Sequence, residues 1–215
     1  MNRKDKIWQS IQAAAFKEMF EAVGATGDPA EAYGALIKHY GFPPRAYHNL
    51  SHVEFCQREL MMVEDQCENL AAVEVAIWFH DAIYYPSLKD NEERSAALAS
   101  ELLCLPPAKA KIVKDLILDT KHNRVPMSPD GKILADIDLA ILGMDYDIFE
   151  EYCYAIRLEY AWAEVDEVSY RKGRSRFLKK LLSREHIFWT QRGRKERERC
   201  PPQPQEGNYP PNPRT

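Results

Sequence analysis

A chain of 215 residues, 45% of them hydrophobic, can form one domain with a substantial core. Its formal net charge of −4, from 33 acidic against 29 basic side chains, weighs against a general nucleic-acid binder. Five scattered cysteines without a CxxC pair weigh against a zinc ribbon and predict reduced thiols, and no stretch nears the roughly 20 apolar residues that span a bilayer. The charged start Met1-Asn2-Arg3-Lys4 is unlike a secretory leader, so a soluble, cytoplasmic protein is expected.

Helical periodicity dominates and strand-like alternation is scarce, so the fold class is all-α. Ile7, Ile11, Ala14, Ala15 and Met19 share one helix face that ends near Gly24. Pro29 suits a first helical turn, and Ala32, Leu36, Ile37 and Tyr40 supply the next stripe. Gly41-Phe42-Pro43-Pro44 breaks that helix. A third helix is predicted over residues 48–62, and a fourth, strongly apolar and therefore central, over 71–80. Asp90-Asn91-Glu92-Glu93 starts the next, with acids near the positive helix end, and Pro106-Pro107 stops it. Another helix covers 109–120, a turn-rich loop covers 123–131, and a helix over 133–142 carries Asp136 and Asp138. Two longer helices follow, over 146–163 and 168–182, with a shorter one through Trp189. Residues 1–190 read as a single domain. The basic, then proline-rich stretch 191–215 has almost nothing to bury and reads as a disordered tail.

Two stretches carry chemistry. In Tyr47-His48-Asn49-Leu50-Ser51-His52 the histidines are four apart, hence on one face of a helix. Trp78-Phe79-His80-Asp81 ends the central helix with an imidazole and a carboxylate about 100° apart, able to flank one ion. Nitrogen and oxygen donors of this kind suit a divalent transition metal. His52, His80 and Asp81 supply three ligands, and a fourth must come from a distant helix. Asp136 and Asp138 qualify, but two residues apart on a helix they point about 200° from one another, so only one can face the ion. His39 and His186 read as hydrogen-bonded core residues.

Asn91 and Glu92 either cap a helix or orient water or substrate above the metal, with Arg94 available for phosphate. Arg45 and Lys121 are further phosphate-contact candidates. His122 is open to three readings: a ligand, a phosphate contact beside Lys121, or a helix cap. Arg157, Glu159, Tyr160, Arg171 and Arg174 read as polar contacts between helices.

The order His52, His80-Asp81, Asp138 resembles the His…His-Asp…Asp signature of the HD superfamily of metal-dependent phosphohydrolases. The stretch 47–52 is similar to the Tyr-His-Asn-x-x-His motif of cyclic-nucleotide phosphodiesterases, which share that helical core. The chain as a whole resembles a small family of predicted HD phosphohydrolases over stretches 45–52, 76–85, 90–96, 118–122, 136–143 and 156–160 and at Gly173-Arg174. The resemblance implies an HD-domain helical bundle in which His52, His80, Asp81 and Asp138 bind a divalent ion (Mn, Mg, Zn, Fe, Co or Ni). It favours Asp138 over Asp136 and makes His48 a proton donor to the leaving group. It implies hydrolysis of a phosphate ester, of a nucleotide or a small phosphorylated metabolite, by a monomer or homodimer. Catalytic roles fall to His48 and Glu92, and substrate contacts to Arg45, Asn91, Lys121 and His122. One departure stands out: the phosphodiesterases place a histidine of their second metal's surroundings three positions after the aspartate, where this chain has Tyr84. That departure leaves room for a catalytically silent module that binds metal or nucleotide. A two-iron oxygenase, an activity of some HD relatives, is a third expectation, and it needs more ligands than the sequence supplies.

Overall fold

The computed structural model describes residues 3–43 and 45–197. Among them are ten α-helices, two short 3-10 turns and no strand, as the all-α expectation requires. Helices α1 (Arg3–Ala22), α2 (Pro29–Gly41), α3 (Leu50–Met61), α4 (Leu70–Phe79), α5 (Asn91–Leu103) and α6 (Pro107–Asp119) form the first half. The second half holds α7 (Pro129–Leu139), α8 (Tyr146–Trp162), α9 (Glu167–Leu182) and α10 (Gln191–Arg197), with a 3-10 turn at Ala140–Gly143. No helix of the described residues is long and apolar enough to cross a membrane.

Helix α4 is apolar except at Glu74, so the fold surrounds most of it. Val73, Val75, Ala76, Ile77, Trp78 and Phe79 are all buried, and Phe16 of α1 meets Trp78 edge-on at 5.2 Å. Leu36 of α2, Val53 of α3, Leu103 of α5 and Leu116 of α6 complete this core. A second apolar cluster joins Leu139, Ile141 and Leu142 to Phe149, Tyr152 and Ile156 of α8, Tyr170 and Leu181 of α9, and Phe188. Tyr47 packs against the second cluster and Phe55 against both, so the 47–55 segment lies where the two cores meet.

Side-chain caps or a proline at the first position set several helix starts, and four depart from the sequence expectation. Asn49 accepts the Ser51 N–H at 2.8 Å and starts α3 at Leu50, which leaves His48 outside the helix instead of on one face with His52. Pro107 opens α6 as its first residue rather than stopping the chain short of Lys109. Ser128 accepts the Gly131 N–H and Pro129 begins α7, so the end of the predicted 123–131 loop is helical. Residues 184–190 contain no helix through Trp189, whereas 191–197, expected within the tail, form α10. Residues 198–215, the rest of the expected disordered tail, lie outside the described residues.

Two carboxylates of α7 tie it to distant segments through backbone N–H groups. Asp130 at the start of α7 accepts from Glu68 and Asn69, at 2.8 and 2.9 Å. Asp136 accepts from Trp189 and Thr190, each at 2.7 Å, and anchors the entry to α10. The face of α7 that bears Asp136 is therefore structural. Asp136→Ala leaves both donors without their carboxylate, and is expected to lower unfolding stability by about 1–3 kcal/mol in urea denaturation. Unchanged stability would contradict this anchoring role.

Candidate metal centre

Three helix ends converge between the two cores. His52 sits in the first turn of α3, His80 caps the C-terminus of α4 with Asp81 directly after it, and Asp138 lies in the last turn of α7. Nε2 of His52 is 3.1 Å from Nε2 of His80 and 3.1 Å from Oδ1 of Asp138. Oδ2 of Asp81 is 3.1 Å from His80 Nε2 and 3.6 Å from His52 Nε2, and His80 Nε2 is 3.6 Å from Asp138 Oδ1. Ligands at the usual 2.0–2.2 Å from one ion are separated from each other by about 3.0–3.5 Å, so these spacings suit a shared cation.

The surrounding bonds aim the donors inward. His80 Nδ1 lies 2.9 Å from the Ile77 carbonyl and donates to it in the neutral ring, which leaves the Nε2 lone pair for the site. The second oxygen of Asp138 lies 2.7 Å from His122 Nε2. His122 reaches it from a left-handed backbone, φ 52°, a conformation that costs a residue with a Cβ about 1–2 kcal/mol. Burial opposes ionisation of Asp138, but hydrogen bonds from His122, His52 and His80 overcome it and hold the carboxyl well below the usual range. Burial likewise opposes the charge on Asp81, and the rings of His80 and His48 pull its pKa down. His80 would be neutral from burial alone, but Asp81 and Asp138 raise it well above the ordinary imidazole value. His52 is lowered, chiefly by burial, despite its bond to Asp138. Two ionised carboxylates buried among imidazoles need a positive charge between them, either a proton on His80 or a metal ion. The donor set fits the latter.

Cys56 was read from sequence only as a reduced thiol, and it is one helical turn beyond His52. Donor atoms of His52, Cys56, His80 and Asp138 all lie within 4.8 Å of one another, a group that could hold a metal. The Cys56 sulfur is 3.8 and 3.7 Å from the two His52 ring nitrogens, hence against the ring edge, and burial pushes its thiol up. Sequence reasoning missed it, although a cysteine four residues after a ligand histidine is on the same helix face.

A cavity of about 310 Å³ opens beside this cluster. His48, Asp81, Asp138, His122, Asn91, Glu92 and Lys121 all reach its wall. His48 owes its position to Glu159 of α8. One carboxylate oxygen of Glu159 lies 2.6 Å from His48 Nδ1, and the other accepts the backbone N–H groups of Tyr47 and His48, both at 2.9 Å. The Tyr84 ring stacks on His48 at 3.8 Å. Glu159 was read as a contact between helices. The signal for its role was its place in the stripe Phe149, Tyr152, Ile156, Glu159, where an acid on a buried face demands a partner.

The remaining candidates are placed as follows. Arg45 is not in the cavity wall: it donates to the carbonyls of His48 (3.0 Å), Asp81 (2.6 Å) and Ala82 (2.9 Å), and thereby ties the two motif segments together. Asn91 exchanges hydrogen bonds with the backbone of Tyr85, at 3.1 and 3.0 Å. Lys121 is paired with Glu93 at 2.6 Å and Glu92 at 3.5 Å. Burial raises the Glu92 carboxyl against the opposing charge of Lys121. Arg94 pairs with Asp90 at 2.9 Å on the surface.

The His48–Glu159 pair has a pH signature. Burial lowers the His48 pKa, but Glu159 outweighs it and the net shift is upward; burial raises Glu159, but His48 and the backbone donors bring it down. The raised histidine contributes stability in full below its ordinary value of 6.5 and loses it as pH rises through its folded value. The depressed glutamate contributes above its ordinary 4.5 and loses it as pH falls through its folded value. In chelator-treated protein Glu159→Ala is expected to cost about 3–5 kcal/mol near pH 5.5 and clearly less at pH 9, by urea denaturation. A penalty that does not change with pH would contradict the charged pair.

No family model, no curated protein and no solved structure matches this chain.

Proposed function

We propose that the protein is a metal-dependent phosphohydrolase of the HD type, acting on a nucleotide or another small phosphate ester. The observation that carries this reading is the convergence of His52, His80, Asp81 and Asp138 next to a histidine, His48, that a buried carboxylate holds at Nδ1. Asp81 and Asp138 bring charge, and His52 and His80 bring neutral nitrogen donors, a set that divalent Mn, Mg, Zn, Fe, Co or Ni can use. A bound ion supplies Lewis acidity toward a phosphoryl oxygen and lowers the pKa of a water toward 7.

The other steps belong to the chain. Glu159 anchors Nδ1 of His48, so Nε2 is the nitrogen free to give its proton to the departing ester oxygen. Burial opposes charge on the ring, but Glu159 outweighs it and moves the pKa upward, which favours the protonated form. Tyr84 holds the ring flat against its own and limits its rotation. Glu92, at the cavity wall with a raised carboxyl, can hold a proton or orient a water at the opposite side. His122 fixes the Asp138 carboxylate in one orientation.

Tyr84 also supports a second reading. It stacks on the proton donor at the position where the phosphodiesterases carry a second-metal histidine, a difference that suits a binding module without turnover. Phosphate release from nucleotides and small esters by metal-loaded protein separates the two. The enzyme reading expects turnover that falls about 10²–10⁴-fold in His48→Ala with metal content retained, and loss of metal in Asp138→Ala but not in Asp136→Ala. Bound metal and bound nucleotide with no turnover under any metal would overturn it in favour of the module.

A further inference from the structure

Among the described residues the cavity wall holds one lysine or arginine without a carboxylate partner. Its wall includes two permanently charged basic side chains, Lys121 and Arg174. Lys121 is neutralised by Glu93 and Glu92. Arg174 has no carboxylate of the described residues paired with it, and its Nη2 is buried without a hydrogen-bond partner. The rest of the guanidinium shares a hydrogen bond with the Tyr152 side chain and lies over the rings of Tyr152, at 4.9 Å, and Phe177, at 5.5 Å. In sequence, Tyr170, Arg174, Phe177 and Leu181 fall on one helical face of α9, and Tyr170 and Leu181 belong to the second core. A permanent charge on a face built for burial, with no anion beside it, is costly unless a ligand supplies one.

Its place in the cavity decides which ligand group that is. Arg174 contacts Tyr152, Tyr152 packs on Tyr47 at 4.6 Å, and Tyr47 packs on His52 at 4.7 Å. Two tyrosine rings thus stand between Arg174 and the cluster of donors, and neither Asp81 nor Asp138 forms an ion pair with it. A phosphoryl group seated at His52, His80, Asp81 and Asp138 would lie at the other end of this tyrosine wall.

We propose that Arg174 binds a second anionic group of the substrate, so that the natural substrate is a phosphate monoester carrying another phosphate or a carboxylate. The scissile phosphate sits by the histidine–aspartate cluster, the connecting framework lies along Tyr47 and Tyr152, and the second anion meets the guanidinium fork. The inference rests on the phosphohydrolase reading for its reaction, but not for its binding geometry.

The test compares, with metal-loaded full-length protein, a sugar bisphosphate, a phosphorylated carboxylic acid of similar length, and the sugar monophosphate. Binding is followed by calorimetry and turnover by phosphate release. Wild type should bind at least one of the doubly anionic ligands about ten times more tightly than the monophosphate, and which one it prefers identifies the second group as phosphate or carboxylate. In Arg174→Met the ratio of the two affinities should collapse toward one, and Arg174→Lys should restore part of it because charge returns without the planar fork. Thermal unfolding of both variants checks that they are folded. Absence of a doubly anionic preference in wild type, or a ratio unaltered in folded Arg174→Met, overturns the proposal. If no ligand is hydrolysed, the phosphohydrolase reading fails, and the calorimetric ratio still decides the role of Arg174.

Discussion

Two carboxylates that a folding chain would normally keep apart, Asp81 and Asp138, are brought together between two imidazoles in a buried place. Like charges at this separation destabilise one another unless a cation joins them, and the nearby structure reads as a frame that holds that tension. His80 is pinned through Ile77, Asp138 through His122, and His122 itself sits in a left-handed backbone conformation with its carbonyl accepting from Arg184. A backbone strain of that kind persists only where its surroundings fix it, which ties the cost of the turn after α6 to the orientation of one carboxylate.

The His48 side of the cavity is built from the same materials at one remove. Arg45 holds the 45–48 corner to the carbonyls after α4, and Glu159 holds the backbone and ring of His48 from α8. The apolar α4 provides a rigid pillar whose end delivers His80, while the second core positions α8 so that Glu159 meets the corner. Packing thus sets distances, and a few buried polar contacts set directions. Because each of these contacts links segments more than 30 residues apart in sequence, the site is a product of the complete described fold rather than of any one motif.

The first nine helices and their order were legible because apolar stripes with a 3.6-residue period repeat along the chain, whereas α10 was not, since 191–197 has little to bury. A site joining His52, His80, Asp81 and one aspartate of α7 was foreseeable from residue type and order, and the preference for Asp138 came from the family resemblance. Helix starts were less so: proline at Pro107 and Pro129 reads as a break in sequence but serves as the first helical residue. The choice between Asp136 and Asp138 could be narrowed by geometry, yet only the fold shows that Asp136 faces Trp189 and Thr190. Glu159 and Arg174 were underread for one reason. Each is a charged residue on a buried helical face, and its meaning depends on what faces it from another helix. Arg45, Asn91 and Lys121 show the converse, since residues that look available for substrate in sequence have donors engaged by carbonyls or acids.

Central to the proposed function is an ion held by His52, His80, Asp81 and Asp138, with Cys56, whose thiol burial pushes up, beside the site rather than among its ligands. X-ray absorption at the edge of the bound metal reads this directly. The account predicts two imidazoles and oxygen donors at about 2.0–2.2 Å, with no sulfur contribution near 2.3 Å. Sulfur scattering at that distance, lost in Cys56→Ser, would contradict it and move the ligand set onto His52, Cys56, His80 and Asp138.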